Sequence, residues 1–193
     1  LAVMGAPAGC VGCSLGPEYD ATLSAPIVIG SGMSNEHMAI GEYCGIELGL
    51  KAFKRFRGDI VPTDETYTVG TGWSPKTSAN AVPDTGTARW NYFMSVNLGS
   101  YTFEDIDVSL SIDFDPGDGA EQTGPYVIDV SQAAIDSGMG GLGFFQDSQN
   151  LGFDFWQLIG DPDILPFDPY INGIYDLRLS ASYAGVELTY ADI

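Results

Sequence analysis

Basic residues are the scarcest class in this sequence. Only 7 Lys and Arg stand against 26 Asp and Glu, giving a formal charge of -19 at pH 7 over 193 residues. A field of that sign repels phosphate backbones and anionic headgroups, so it argues against nucleic acid and bare membrane and favours cations. Histidine occurs once, as His37 in Ser34-Asn35-Glu36-His37-Met38. Any Ser–His or Cys–His device must use it, and no G-x-S-x-G elbow accompanies it. Histidine-based zinc and iron sites are equally unsupported. No apolar run approaches the ~20 residues needed to cross a bilayer, so direct membrane insertion is not expected.

Cysteine is also sparse: Cys10, Cys13 and Cys44. Cys10-Val11-Gly12-Cys13 is a lone C-x-x-C. Zinc would need a second pair, and covalent haem attachment would need His where Ser14 stands. The strand-then-helix setting of a thioredoxin-like motif is missing too. In an exported chain the plainer expectation is a disulfide from Cys10 or Cys13 to Cys44, with one thiol left over.

What the sequence has in quantity is apolar surface and turns. Hydrophobic residues make up 45%, and 25 glycines and 11 prolines separate the apolar runs, as a many-stranded protein requires. Ile46, Leu48, Leu50 and Ala52 alternate with Glu47, Gly49, Lys51 and Phe53. Trp90, Tyr92, Met94, Val96 and Leu98 alternate with polar residues and Phe93. Residues 106–115 alternate strictly, with Ile106, Val108, Leu110, Ile112 and Phe114 on one side. Ten residues of period 2 exclude an amphipathic helix, and each run is expected to bury one face and wet the other. Residues 175–190 read as a closing hairpin turning at Ala184-Gly185.

Shorter strands are expected at 66–69 and 126–130, and another beginning at Phe153 and Phe155. Residues 131–137 suit one or two helical turns, and 70–87 read as a polar loop. The fold class that follows is all-β: an antiparallel two-sheet sandwich of about seven to nine strands with at most one short helix. It spans residues 44–193, after a loop-like arm over 1–43 with one strand candidate, Ile27-Val28-Ile29.

Three groups of residues carry candidate chemistry. Asp113, Asp115, Asp118 and Glu121 surround a Pro116-Gly117 turn, and a flexible acidic loop supplies the oxygens that calcium takes. The plain alternative is an Asp-rich turn whose carboxylates cap backbone N–H groups. Trp73, beside loop glycine, and Trp156 are candidate platforms for sugar rings, whereas Trp90 reads as core. The run Ile27, Val28 and Ile29, with the basic cluster Lys51, Lys54, Arg55 and Arg57, is a candidate surface for association with a second copy. Carboxylate pairs suited to glycoside hydrolysis are too numerous for sequence to select one.

Several phrases occur in a familiar order: Gly45-Ile46-Glu47-Leu48-Gly49-Leu50-Lys51-Ala52, Arg89-Trp90-Asn91-Tyr92, Ser111-Ile112-Asp113-Phe114-Asp115-Pro116, Pro166-Phe167-Asp168-Pro169 and Gly173-Ile174-Tyr175-Asp176-Leu177-Arg178-Leu179-Ser180-Ala181. With them, residues 45–191 resemble exported bacterial proteins that carry the PEP-CTERM sorting signal, although the Pro-Glu-Pro tail itself is not among these residues. The resemblance implies export, surface sorting and association with extracellular polysaccharide or biofilm. It brings no catalytic residues. The expected function is therefore a non-enzymatic extracellular or cell-surface structural protein, as a matrix component or self-assembling fibre subunit. The alternative is a calcium-assisted carbohydrate-binding module.

Overall fold

The computed structural model describes residues 16–29, 33–54, 58–64, 66–71, 73–75, 83–115, 125–153, 159, 161 and 167–193. Its strands are β1 (Glu18–Ala21), β2 (Met38–Tyr43), β3 (Ile46–Lys54), β4 (Gly58–Asp59), β5 (Trp73–Pro75), β6 (Pro83–Ala88), β7 (Trp90–Asn97), β8 (Asp107–Ile112), β9 (Tyr126–Asp129), β10 (Phe144–Gln149), β11 (Leu177–Tyr183) and β12 (Val186–Asp192). One helix, α1 (Val130–Asp136), starts at Asp129, whose side chain accepts from the Gln132 N–H. The expected two-sheet sandwich is formed. A six-stranded sheet has the order β1-β2-β3-β7-β10, with β4 beside the end of β3, and a four-stranded sheet has the order β12-β11-β8-β9. Every pairing between these strands is antiparallel. β5 and β6 pair separately, inside the stretch expected to be a loop.

The alternating runs behave as their chemistry requires where one face meets the other sheet. In β8, Val108, Leu110 and Ile112 are buried while Asp107 is exposed. They pack with Leu48 and Leu50 of β3, Tyr92, Met94 and Val96 of β7, and Leu177 and Leu179 of β11. Each fully buried Leu or Ile contributes about 1.5–3 kcal/mol. The β11–β12 hairpin turns at Ala184 and Gly185, with φ of 51° and 77°, the two left-handed residues of a type I′ turn. β2 and β3 turn in the same way at Cys44 and Gly45. Gly41 of β2 lies against the Tyr190 carbonyl of β12, where a Cβ would collide, so this side of the sandwich is closed. Tyr19 Oη also donates to Asp192 across it, at 2.8 Å.

β3 and β7 depart from the expected pattern, for they bury both faces. The cover on the second face is the N-terminal arm. Leu23, Ala25, Met38 and Ile40 pack on Phe93 as a second apolar cluster, with Ile27 and Ile29 partly buried against it. Gly49 leaves the room: a Cβ there would meet Leu23 at 2.7 Å and Met38 at 2.9 Å. Buried backbone needs hydrogen-bond partners, and the arm between β1 and β2 has little sheet pairing to supply them. The polar residues of the sheet's outer face take that role. Glu47 accepts from Ser24 N at 2.9 Å and Ala25 N at 3.4 Å. Gln146 accepts from Val28 N at 2.8 Å and donates to the Pro26 carbonyl at 3.0 Å. Lys51 donates to the Ser34 carbonyl at 2.7 Å and the Glu36 carbonyl at 3.3 Å.

Lys51 is therefore no part of a surface patch. Its side chain is 0% exposed and its ammonium pairs with Asp59 of β4 at 2.6 Å, while Asp59 also accepts from the Ser34 hydroxyl at 2.7 Å. Lys54 is exposed as expected, and Arg55 and Arg57 lie outside the described residues. Ile27, Val28 and Ile29 form no strand; Ile27 and Ile29 pack on the second cluster of their own sheet, while the Val28 N–H bonds Gln146 and its side chain is exposed. The arm is thus integral to the sandwich from Glu18 onward, contributing β1 and β2. That contribution raises the strand number above seven to nine. Residues 66–69 make no strand; only Thr63 and Thr66 form an isolated bridge. β10 is a strand that the pattern does not announce; of the strand expected to begin at Phe153 and Phe155, Phe153 lies outside any strand and Phe155 lies outside the described residues.

Burial pulls the Lys51 ammonium below the ordinary lysine range against the raising effect of Asp59. Burial alone would raise Asp59, but hydrogen bonds from Lys51 and Ser34 hold its carboxyl below the usual range. A depressed carboxylate contributes stability that is whole above its unfolded pKa near 4 and is lost as pH falls through the folded value. Lys51→Ala, which strands Asp59 and two arm carbonyls, is expected to cost about 3 kcal/mol in urea unfolding at neutral pH. It should also remove the part of the acid sensitivity that Asp59 supplies. A loss below about 1 kcal/mol, the scale of an exposed pair, would contradict the buried geometry.

Candidate binding cleft

At one end of the sandwich, β7 begins at Trp90 beside the segments 66–71 and 167–176. Trp90 is fixed from two sides. Its backbone pairs with Lys54, and its carbonyl accepts from Asn150 Nδ2 at 2.6 Å. Asn150 is fully buried and also bonds the Ala88 N–H at 2.8 Å and the Ala88 carbonyl at 3.1 Å, bridging the break between β6 and β7. The Trp90 ring lies edge-on to Phe167 with centroids 6.4 Å apart, and is 6.1 Å from Tyr175. Phe167 and Tyr175 stand 5.5 Å apart. The Asp168 side chain accepts from Tyr170 N at 2.9 Å and its carbonyl accepts from Ile171 N at 3.1 Å, so a tight turn follows Phe167.

Tyr67 lines the opposite wall, its hydroxyl donating to the His37 carbonyl at 2.6 Å. His37 is held in turn, its Nδ1 2.6 Å from Asp20 Oδ1, with both residues at positive φ. This gives the single histidine a structural position at the β1–β2 junction. Tyr67, Trp90, Phe167 and Tyr175 thus surround a cleft of about 370 Å³, which adjoins a smaller hollow of about 140 Å³ reaching Leu177. Among the described residues no basic side chain lines either one. The rim is apolar and open, with Ile171 48% and Ile174 61% exposed.

Acids set the electrostatics here. Burial, then the charges of Asp168 and Asp115, raise the Tyr175 phenol. Burial, then the charges of Asp113 and Asp192, raise the Asp176 carboxyl. Burial is also the main cause that raises Tyr67.

The residues singled out from sequence are distributed differently. Asp113 and Asp115 do not share a wet face, because Asp115 is only 4% exposed. The alternation holds through Phe114, which is buried, and breaks at Asp115: Asp113 Oδ1 accepts from Asp115 N at 2.8 Å, and this turn brings Asp115 inward beside Phe114. Asp118 and Glu121 lie outside the described residues. Among the described residues no group of three or more His, Cys, Asp or Glu could hold a metal, so they do not fit the calcium site by themselves. Trp73 starts β5, and Trp156 lies outside the described residues. Cys44 is disulfide-bonded at the β2–β3 turn, and Cys10 and Cys13 lie outside the described residues. The cleft aromatics Tyr67, Phe167 and Tyr175 were not legible as a group. The one usable signal was Phe167 ahead of an Asp-Pro turn.

No protein family, curated protein or solved structure matches this chain.

A tyrosine whose folded pKa is raised contributes stability that is whole below about pH 10 and is lost as pH rises through the folded value. In an alkaline titration followed by tyrosinate absorbance, Tyr67, Tyr92 and Tyr175 are expected to ionise later than exposed tyrosines, with Tyr67 and Tyr92 doing so as the fold opens. All ten tyrosines titrating together near pH 10 would contradict the packing described.

Proposed function

We propose that this protein is an exported, non-catalytic component of the cell surface or extracellular matrix, and that it holds polysaccharide in the aromatic cleft. The observation that carries this reading is the wall of Phe167, Tyr175 and Tyr67 over buried Trp90, around an open concavity that exposed Ile171 also lines. Aromatic side chains offer an apolar face for the C–H surface of a sugar ring and a polar tip for its hydroxyls. The volume is at the lower end of ligand pockets, roughly 300–1,000 Å³, which suits a chain end or a short stretch. Nearby Asp168 and Asp176 disfavour uronate and sulfate groups, so a neutral glycan fits best. The Cys44 disulfide supports an oxidising compartment, and the resemblance to PEP-CTERM proteins supports the same setting.

Assembly into fibres is the second reading. One observation favours it: β9 and β10 end their sheets among the described residues, and Val127 of β9 is well exposed. Sedimentation and electron microscopy of the concentrated protein address it separately.

On a glycan array the protein is expected to retain neutral polysaccharides and to ignore uronic-acid polymers. Tyr175→Ala and Phe167→Ala should each weaken retention roughly tenfold, since aromatic contacts of this kind contribute about 1 kcal/mol or more. Circular dichroism would confirm that both variants keep the β fold. No retention of any glycan by the parent protein, or full retention by the folded variants, would sink the reading.

A further inference from the structure

We infer that the side of the sandwich opposite the β2–β12 contact is a second binding site, for a small neutral amphiphile with an apolar ring system and one hydroxyl or carbonyl oxygen. On that side β9 and α1 stand over β7 and β10, leaving a cleft of about 230 Å³ between the sheets. Met94, Phe145, Ile128 and Val130 give it apolar walls. The volume is below that of drug-sized pockets, roughly 300 Å³ and upward, so one or two fused rings set the size of an occupant.

Tyr92 supplies the polar point. It lines this cleft and is only 1% exposed, yet its hydroxyl has no hydrogen-bond partner among the described residues. Asn150, Gln146, Lys51 and Glu47, also buried, each make two or more bonds. The Tyr92 hydroxyl is not enclosed, for Thr189 Oγ1 is the buried side-chain atom without a partner among the described residues. It meets the cleft, where an oxygen on a ligand would take the place of water as its partner. Burial, then the Asp147 charge, raises the Tyr92 phenol well above its usual range, so it stays protonated and donates.

Asp147 selects the charge of the ligand. Its two oxygens are already taken by Ser148 N at 2.8 Å and Gln149 Nε2 at 2.9 Å, so it contributes a fixed negative charge at the cleft wall. No basic side chain among the described residues lines the cleft to offset it. A carboxylate or sulfonate ligand is therefore repelled, while a phenol, alcohol or ketone is accepted. This inference does not rest on the saccharide reading, since the two clefts share no lining residue.

The test is a fluorescence titration of the intact protein with 1-naphthol, set against naphthalene and 1-naphthoate. Saturable binding of 1-naphthol is expected, with naphthalene weaker and 1-naphthoate excluded. Tyr92→Phe removes only the unpartnered hydroxyl, so its melting temperature should not fall. It should bind 1-naphthol about threefold to tenfold more weakly and naphthalene unchanged. Ala133→Trp, at an exposed helix position on the cleft wall, should block both probes. Absence of saturable 1-naphthol binding, undiminished binding by folded Tyr92→Phe, or equal binding of 1-naphthoate would each overturn the inference.

Discussion

A sheet packed against another on one side still has a second face, and in this protein most of the architecture turns on how that face is covered. The outer face of the six-stranded sheet carries Phe93 and the wide gap over Gly49, too apolar to leave in water, together with Glu47, Lys51 and Gln146. The arm brings Leu23, Ala25, Met38 and Ile40 to the apolar part. Its own peptide groups, lacking a neighbouring strand, would be costly to bury without partners. Glu47, Gln146 and Lys51 supply donors and acceptors to them at three points along the arm. Apolar cover and polar latch are thus mutually dependent: remove the latch and the cover must carry unsatisfied backbone inward.

The same arrangement explains which parts of the fold were legible in sequence. β8 and β11 alternate cleanly because one face packs and the other is at least partly in water, and Ala184-Gly185 announces the hairpin turn. In β12 the inward set expected at Val186, Leu188 and Tyr190 is replaced by Thr189 and Ala191, with Val186 exposed and the pairing shifted in register between Ala181 and Ser182. β3 and β7 carry the same alternation, but the polar members of β3 hold the arm. Pattern alone treats a polar residue as a wet one, so a buried polar latch is invisible to it. Asp115 misled for a related reason, since the backbone turns at Asp113 and ends the period that placed it outward. β10 was missed because its inward positions include Gln146 on one face and Asp147 on the other, leaving little apolar rhythm to read. The cleft was hidden for a different reason. Tyr67, Trp90, Phe167 and Tyr175 come from separate segments, and only the closure of the sandwich assembles them.

Charge gives the two clefts a common character. With 26 acids in the chain, each cleft has carboxylates close by and no basic lining among the described residues. Both therefore favour neutral ligands that bind by contact area and single hydrogen bonds, without ion pairing. The basic residues that are described and paired serve the fold: Lys51 joins the arm to β4, and Arg178 bridges Glu187 and lies over the Tyr190 ring on the hairpin. A protein built this way presents an anionic exterior with apolar, aromatic recesses, in keeping with the function we propose for it.

The central claim is that the arm is part of the core and not an appendage to it. Native-state hydrogen exchange of individual amides measures this directly, because opening free energies separate local fraying from global unfolding. The Ser24, Ala25 and Val28 amides, bonded to Glu47 and Gln146, are expected to exchange with the same free energy as the central amides of β3 and β7. Rapid exchange at these three amides while β3 and β7 stay protected would contradict the account.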